Sequence, residues 1–173
     1  MTTEDRFWES ASLEALSPQQ WEALCDGCAR CCLHKLADDD TGDVYYTDVA
    51  CPLLDLTACR CTDYPNRRDR MPACVQLTPK IVFDIHWLPS TCAYRLRALG
   101  KPLPRWHHLV SGSKDAVHKS GASVRGKAVL LENPPNDVLM AHVVEMIRTD
   151  TGYRLFLPTR PNRPQENHHD HSR

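Results

Sequence analysis

A chain of 173 residues with a formal net charge of −1 has room for one domain plus an appendage. Its near-balanced charge gives no general electrostatic reason to bind nucleic acid or an anionic membrane, and no apolar run in it approaches the ~18 residues of a membrane-spanning helix. Thirteen prolines against seven glycines, many of the prolines between residues 52 and 104, predict irregular, loop-rich structure that buries little apolar surface per residue.

In chain order, residues 4–24 read as a helical lead-in, with Leu13, Leu16, Trp21 and Leu24 spaced for a helix face. Ser17-Pro18-Gln19-Gln20 has the form of a capping sequence. Ser17 is the N-cap, Pro18 takes the first helical position and Gln20 the third, so a helix is predicted from Pro18 into Leu24. Residues 25–36 form a cysteine knuckle. Asp38 to Asp43 is a turn and Val44 to Thr47 a short strand. Residues 50–80 carry a second cysteine group among prolines and arginines. Cys92 to Leu99 reads as a short helix stopped by Gly100 and Pro102. Ser123 to Leu131 is expected to be a strand, and Val138 to Ile147 a helix begun by Pro134-Pro135-Asn136-Asp137. Arg160 to Arg173, rich in Pro, Asn and His, has the composition of a disordered tail.

Nine cysteines are the dominant signal, eight of them between Cys25 and Cys74. So many thiols in so short a stretch are disulfides, metal ligands or redox groups. Met1 to Trp8 has neither the basic region nor the apolar core of a secretory signal, which predicts a cytoplasmic chain with reduced thiols. The odd count and the adjacent Cys31 and Cys32 also fit a closed disulfide framework poorly. Metal ligation remains the leading reading. Cys25, Cys28 and Cys31 stand at Cys-x2-Cys spacing, where two thiolates of a turn converge on one ion and backbone amides support the sulfurs. Gly27 permits a positive φ inside the first turn. The run matches the opening of a ferredoxin-type cluster motif, but Cys32 replaces the usual continuation. Cys51, Cys59, Cys61 and Cys74 bring the total to eight thiolates. That number suffices for two four-coordinate sites, for one polynuclear cluster, or for one cluster with thiols to spare.

Cys92 alone, beside Ala93 and Tyr94, reads as a buried apolar residue. His34 is two residues from Cys32, and His86, His107, His108 and His118 are scattered. Asp38 to Asp43 lacks the ligand pattern of a calcium loop. Arg60, Arg67, Arg68 and Arg70 near Tyr64 form a basic patch that reads as a solvated loop. No phosphate loop, dinucleotide fingerprint or Gly-x-Ser-x-Gly elbow is present.

Several segments together resemble the bacterial cysteine-cluster family UPF0260. They are Trp21 to Leu36 with its Cys-x2-Cys-x2-Cys-Cys run, Asp40 to Tyr45, Thr47, Val49 to Cys51, Cys59, Cys61, Tyr64, Pro72, Cys74, Leu77-Thr78 and Trp87 to Pro89. The likeness continues through Cys92 to Arg95, Leu103 to His107, Ser111-Gly112, Val117-His118, Gly121 and Ser123-Val124, and so covers about 20–130. The broader group is described as zinc- or iron-chelating. The resemblance implies that Cys92 is a ligand and draws attention to His34, His107 and His118. His108 stands where proline is expected.

The expected fold is α+β, small and irregular, with short helices and a short hairpin organised around a cysteine metal cluster. Residues 1–132 form the metal-binding domain, 133–159 a helix or strand extension, and 160–173 the tail. The expected ligands are Cys25, Cys28, Cys31, Cys32, Cys51, Cys59, Cys61, Cys74 and Cys92. The expected cofactor is zinc or iron, an iron–sulfur cluster being one form of the latter. The metal ion is the only partner the sequence implies. Two rival functions stand beside the metal-binding one: an iron–sulfur redox protein or enzyme, and a zinc-stapled module binding protein or RNA.

Overall fold

The computed structural model describes residues 6–147 and the backbone of 154–156. Among these the chain forms α1 (Phe7–Ser10), α2 (Pro18–Ala23), β1 (Leu33–Ala37), β2 (Val44–Ala50), β3 (Leu54–Asp55) and β4 (Arg60–Cys61). It continues through α3 (Arg67–Arg70), α4 (Pro79–Asp84), α5 (Ala93–Ala98), α6 (His108–Ser111), α7 (Ala116–Lys119), α8 (Asn136–Ala141), β5 (Val143–Ile147) and β6 (Arg154–Phe156). This is the small α+β architecture expected. None of these helices exceeds six residues, well short of the ~12–15 at which an isolated helix holds in water, so caps and packing must supply their stability.

α2 shows how a cap does so. The Ser17 hydroxyl accepts the Gln20 N–H at 3.2 Å, and the Gln20 side chain accepts the Ser17 N–H at 2.9 Å. Pro18 occupies the first turn, where its missing N–H costs nothing. This is the capping box read from the sequence. α4 is begun the same way, with Thr78 accepting the Ile81 N–H at 3.2 Å ahead of Pro79.

β1, β2, β5 and β6 make one antiparallel sheet in that order. The β1–β2 reversal lies at Asp38–Asp43, where the Asp38 carboxylate accepts the N–H groups of Asp40 and Thr41 at 2.9 and 3.0 Å. β2 runs on to Ala50, three residues past the predicted strand. β3 and β4 form a separate two-stranded hairpin with Leu54 opposite Cys61.

Two segments depart from the sequence reading. Ser123 to Leu131 is a turn-rich loop: Gly126 takes φ +70, and Val124 O accepts from both Lys127 and Ala128 N–H. Val129 alone reaches the sheet, through a single bridge to Val49. The predicted helix over Val138 to Ile147 ends at Ala141, and Val143–Ile147 becomes β5. The edge of β2 offers unpaired backbone groups, and Val143, Val144 and Ile147 are β-branched. Pairing with β2 therefore overrides the local helical spacing.

Two apolar cores result. One lies on the sheet and contains Ala29, Leu33, Tyr46, Ala50, Leu54 and Ile147 among others. The second gathers Leu13, Leu24, Val82, Leu88, Tyr94 and Leu103 from the helical part. Trp87 packs against both, and the Tyr46 hydroxyl donates to Trp87 O. Among the described residues no helix is long and apolar enough to cross a membrane. Arg160 to Arg173, with His168, His169 and His171, lies outside the described residues.

Candidate metal centre

The cysteine knuckle occupies the seam between the two cores. It leaves α2 at Leu24, which is fully buried in the helical core, and arrives at Ala29 and Leu33 in the sheet core. His107 fixes the departure point. Its Nδ1 accepts the Leu109 N–H at 3.1 Å, so its Nε2 carries the proton and donates to Leu24 O at 3.1 Å. Both ring nitrogens are thus engaged, and His107 anchors the loop without being available as a ligand. Arg30, one residue before Cys31, pairs with the buried Glu145 of β5 and pins the other end to the sheet.

Between these anchors the backbone is tight. Gly27 and Ala29 both take left-handed φ, +75 and +58. The Asp26 carboxylate accepts the Cys28 N–H at 2.9 Å through Oδ1, which closes the Cys25–Cys28 turn. Cys28 O accepts the Val124 N–H at 3.0 Å. Next to it, His118 Nδ1 and the Ser123 hydroxyl lie 2.8 Å apart. His118 thereby acts on the loop that covers the knuckle.

All nine cysteines carry free thiols. Cys25 and Cys31 retain solvent exposure. Burial nevertheless pushes the Cys25 thiol up to about 12, and the neighbouring Cys31, Asp26 and Cys92 add to it against a hydrogen bond from the Gly27 amide. Burial raises Cys28 well above the ordinary range, with Asp26 and Cys31 in support. Cys92, the N-cap residue of α5, is held up at about 12 by burial and by Cys31. Cys31 is lowered to about 7, chiefly by a hydrogen bond from the Cys32 thiol and also by Lys35. The same bond and burial push Cys32 up, with Cys31 and Cys51 nearby. Cys51 is raised by burial and by facing Cys61 and Cys74.

The structure therefore brings Cys92 to the knuckle from over sixty residues away, and Cys32 to Cys51 across the start of the β1–β2 ladder, where the Cys51 N–H donates to Cys32 O at 2.8 Å. Cys59 sits elsewhere. It is buried in the sheet core at φ +54, and its thiol faces Leu56 O at 3.7 Å. Among the described residues, no three Cys, His, Asp or Glu side chains surround a common point at ligand spacing.

Two residues that sequence reasoning did not single out shape the site. Asp26 Oδ2 is buried with no hydrogen-bond partner among the described residues, beside Cys25, Cys28, Cys31 and Cys92. A buried carboxylate oxygen left without a partner calls for a cation. Its position inside Cys-Asp-Gly-Cys is the signal that could have found it, since Asx residues commonly close such turns. Lys35 donates to Cys31 O and Leu33 O, both at 2.7 Å, and lies over the Tyr46 and Trp87 rings at 4.9 and 4.5 Å. Its ammonium is near Cys31, Cys32, Cys51 and Cys74. No local pattern announces it. Soft thiolates with an adjacent carboxylate are a donor set that fits zinc or iron.

Residues 24–93 match the CxxCxxCC family model, described as a "putative zinc- or iron-chelating domain". A UPF0260 protein of Gluconacetobacter diazotrophicus is 60% identical over 129 residues, covering 75% of this chain and 81% of that protein. A UPF0260 protein of Rhodopseudomonas palustris is 55% identical over 139 residues, 80% of this chain and 82% of its own. One from Brucella canis is 53% identical over 135 residues, 78% and 89% respectively. No solved structure matches the chain.

Proposed function

The chain belongs to the UPF0260 family, and on that premise we propose that it binds zinc or iron through the thiolates of the Cys25–Cys32 knuckle together with Cys92. One observation carries the reading. The Cys-x2-Cys-x2-Cys-Cys run sits in one tight turn, with Gly27 and Ala29 at left-handed φ, beside an Asp26 oxygen that is buried with no hydrogen-bond partner among the described residues. A bound divalent ion would reverse the local electrostatics. It stabilises as thiolates Cys25, Cys28 and Cys92, which burial otherwise keeps protonated, and it gives the Asp26 oxygen a positive charge to face. The arginines of the 60–70 segment support this over an interaction module. Arg67 stacks on Tyr64 at 3.8 Å and Arg70 pairs with Asp63 at 3.3 Å, so both are already engaged within the chain.

The test is metal analysis and absorbance of protein purified anaerobically from cells supplied with zinc and iron. Tightly bound zinc in colourless protein, or iron with absorbance near ~400 nm, is the expected result. Metal-free protein with nine reduced thiols would overturn it.

A further inference from the structure

The segment that follows the β3–β4 hairpin carries a charge pattern of its own. Between Arg60 and Pro72 stand four arginines and two aspartates, a local excess of positive charge on a chain whose net charge is −1. Within it lies an open cleft of about 540 Å³ lined by Pro65, Arg67, Arg68, Asp69, Pro72 and Gln76. The two prolines flank α3 and fix the backbone φ on either side of it, so the rims of the cleft are stiff before any ligand enters. The polar groups around it are unequally committed. Arg70 is taken up by Asp63. Arg67 Nη1 donates to Tyr64 O, and its guanidinium lies on the Tyr64 ring. The Tyr64 hydroxyl in turn donates to Glu22 of α2 at 3.0 Å. Arg67 is therefore held in place with most of its N–H donors still open. The side chains of Arg68, Asp69 and Gln76 make no hydrogen bond, ion pair or ring contact among the described residues.

We propose that this cleft binds a small, multiply charged oxyanion that carries a hydroxyl group of its own, a polyol phosphate or a hydroxylated dicarboxylate. The proposal is independent of the metal-binding reading. Guanidinium groups match phosphate and carboxylate oxygens with charge-assisted hydrogen bonds, and Arg67, stacked on Tyr64, loses little freedom in making them. Arg68 supplies the second cation, and the Gln76 carboxamide a neutral donor. Asp69 accounts for the hydroxyl. Its carboxylate repels a bare anion but accepts a hydrogen bond from a ligand O–H, so it favours anions that bring a donor with them. A volume of about 540 Å³ suits a small molecule, within the usual ~300–1,000 Å³ of such sites. The net charge of −1 over the whole chain argues against a long nucleic-acid backbone as the occupant.

Calorimetric titration of full-length protein tests this with two probes, glycerol 3-phosphate and malate, each beside its hydroxyl-free counterpart, propyl phosphate and succinate. At least one hydroxylated probe should bind at one per chain, about fivefold tighter than its counterpart, and the probe that binds tells phosphate from carboxylate. Arg68→Gln should weaken it about tenfold or more, whereas Arg60→Gln, the same loss of charge outside the cleft, should change affinity by less than about twofold. Asp69→Asn should erase the difference between a probe and its counterpart. Amide shifts in titrated wild-type protein should centre on residues 65–76, a readout that depends on no variant. Absence of saturable binding by both probes, equal losses in Arg60→Gln and Arg68→Gln, or amide shifts centred elsewhere would overturn the proposal and leave the metal reading untouched.

Discussion

His107 illustrates what a single fully buried side chain does here. Burial holds its pKa below the ordinary 6.5, as it does for His34, His108 and His118. The unfolded chain protonates these rings near ~6.5 while the folded chain resists, so below that pH the unfolded state binds more protons. Stability is therefore full above about pH 6.5 and is lost as pH falls through it. Thermal melts from pH 8 to pH 5 should show this loss, and His107→Gln should flatten the slope by up to about 1.4 kcal/mol per pH unit. An unchanged slope would mean that His107 protonates freely in the fold. At the same scale, Lys35→Met removes a cation near Cys31, Cys32, Cys51 and Cys74. Metal affinity, read by competition with a chromophoric chelator, should fall about tenfold or more, equivalent to ~1.4 kcal/mol. The identity of the thiols was legible in the sequence, because Cys-x2-Cys spacing is local chemistry. Their partners were not. Cys92 packs against the helical core beside Leu88, Ala93 and Tyr94, far from the knuckle in sequence, and Lys35 and Asp26 gain their roles from the same assembly.

The elements divide in the same way. α2 was readable to its first residue because Ser17, Pro18 and Gln20 encode its start within four positions. Ser17→Ala should cost about 1 kcal/mol of stability, measured by denaturant unfolding, since the hydroxyl that accepts the Gln20 N–H is lost. β5 was misread as helix because its fate depends on β2, almost a hundred residues earlier. The same dependence gives Glu145 its weight. The Arg30–Glu145 pair ties the knuckle to β5 with both side chains largely buried, and removing one partner takes from the other an opposite charge it is buried with. Arg30→Ala should destabilise the fold by about 3–5 kcal/mol. If Arg30→Ala and Glu145→Gln each cost less than about 1 kcal/mol, the knuckle would have to be held by other means.

On the scale of the whole molecule, the two cores meet along a thin line. Trp87, the Tyr46 hydroxyl bond to Trp87 O and the 24–33 segment join them, and the helices flanking that line are six residues or shorter. Such elements bury too little to offset their ordering entropy alone. Ions held by thiolates from both sides would act as staples across the seam, and their binding free energy would become folding free energy. A metal present at one hundred times its dissociation constant adds ~2.7 kcal/mol to the folded state, which for a chain of this size raises the melting temperature by about 5–10 °C. Chelation under reducing conditions should therefore lower the melting temperature by at least that much. Amide exchange should quicken first between residues 25 and 92, which span the cysteines, ahead of the β2–β5 ladder that backbone bonds hold on their own. Readdition of the same metal should reverse both changes. An unaltered melt and an exchange pattern indifferent to chelation would show that the cores dock without metal, and that the thiols bind their ions to a frame already built.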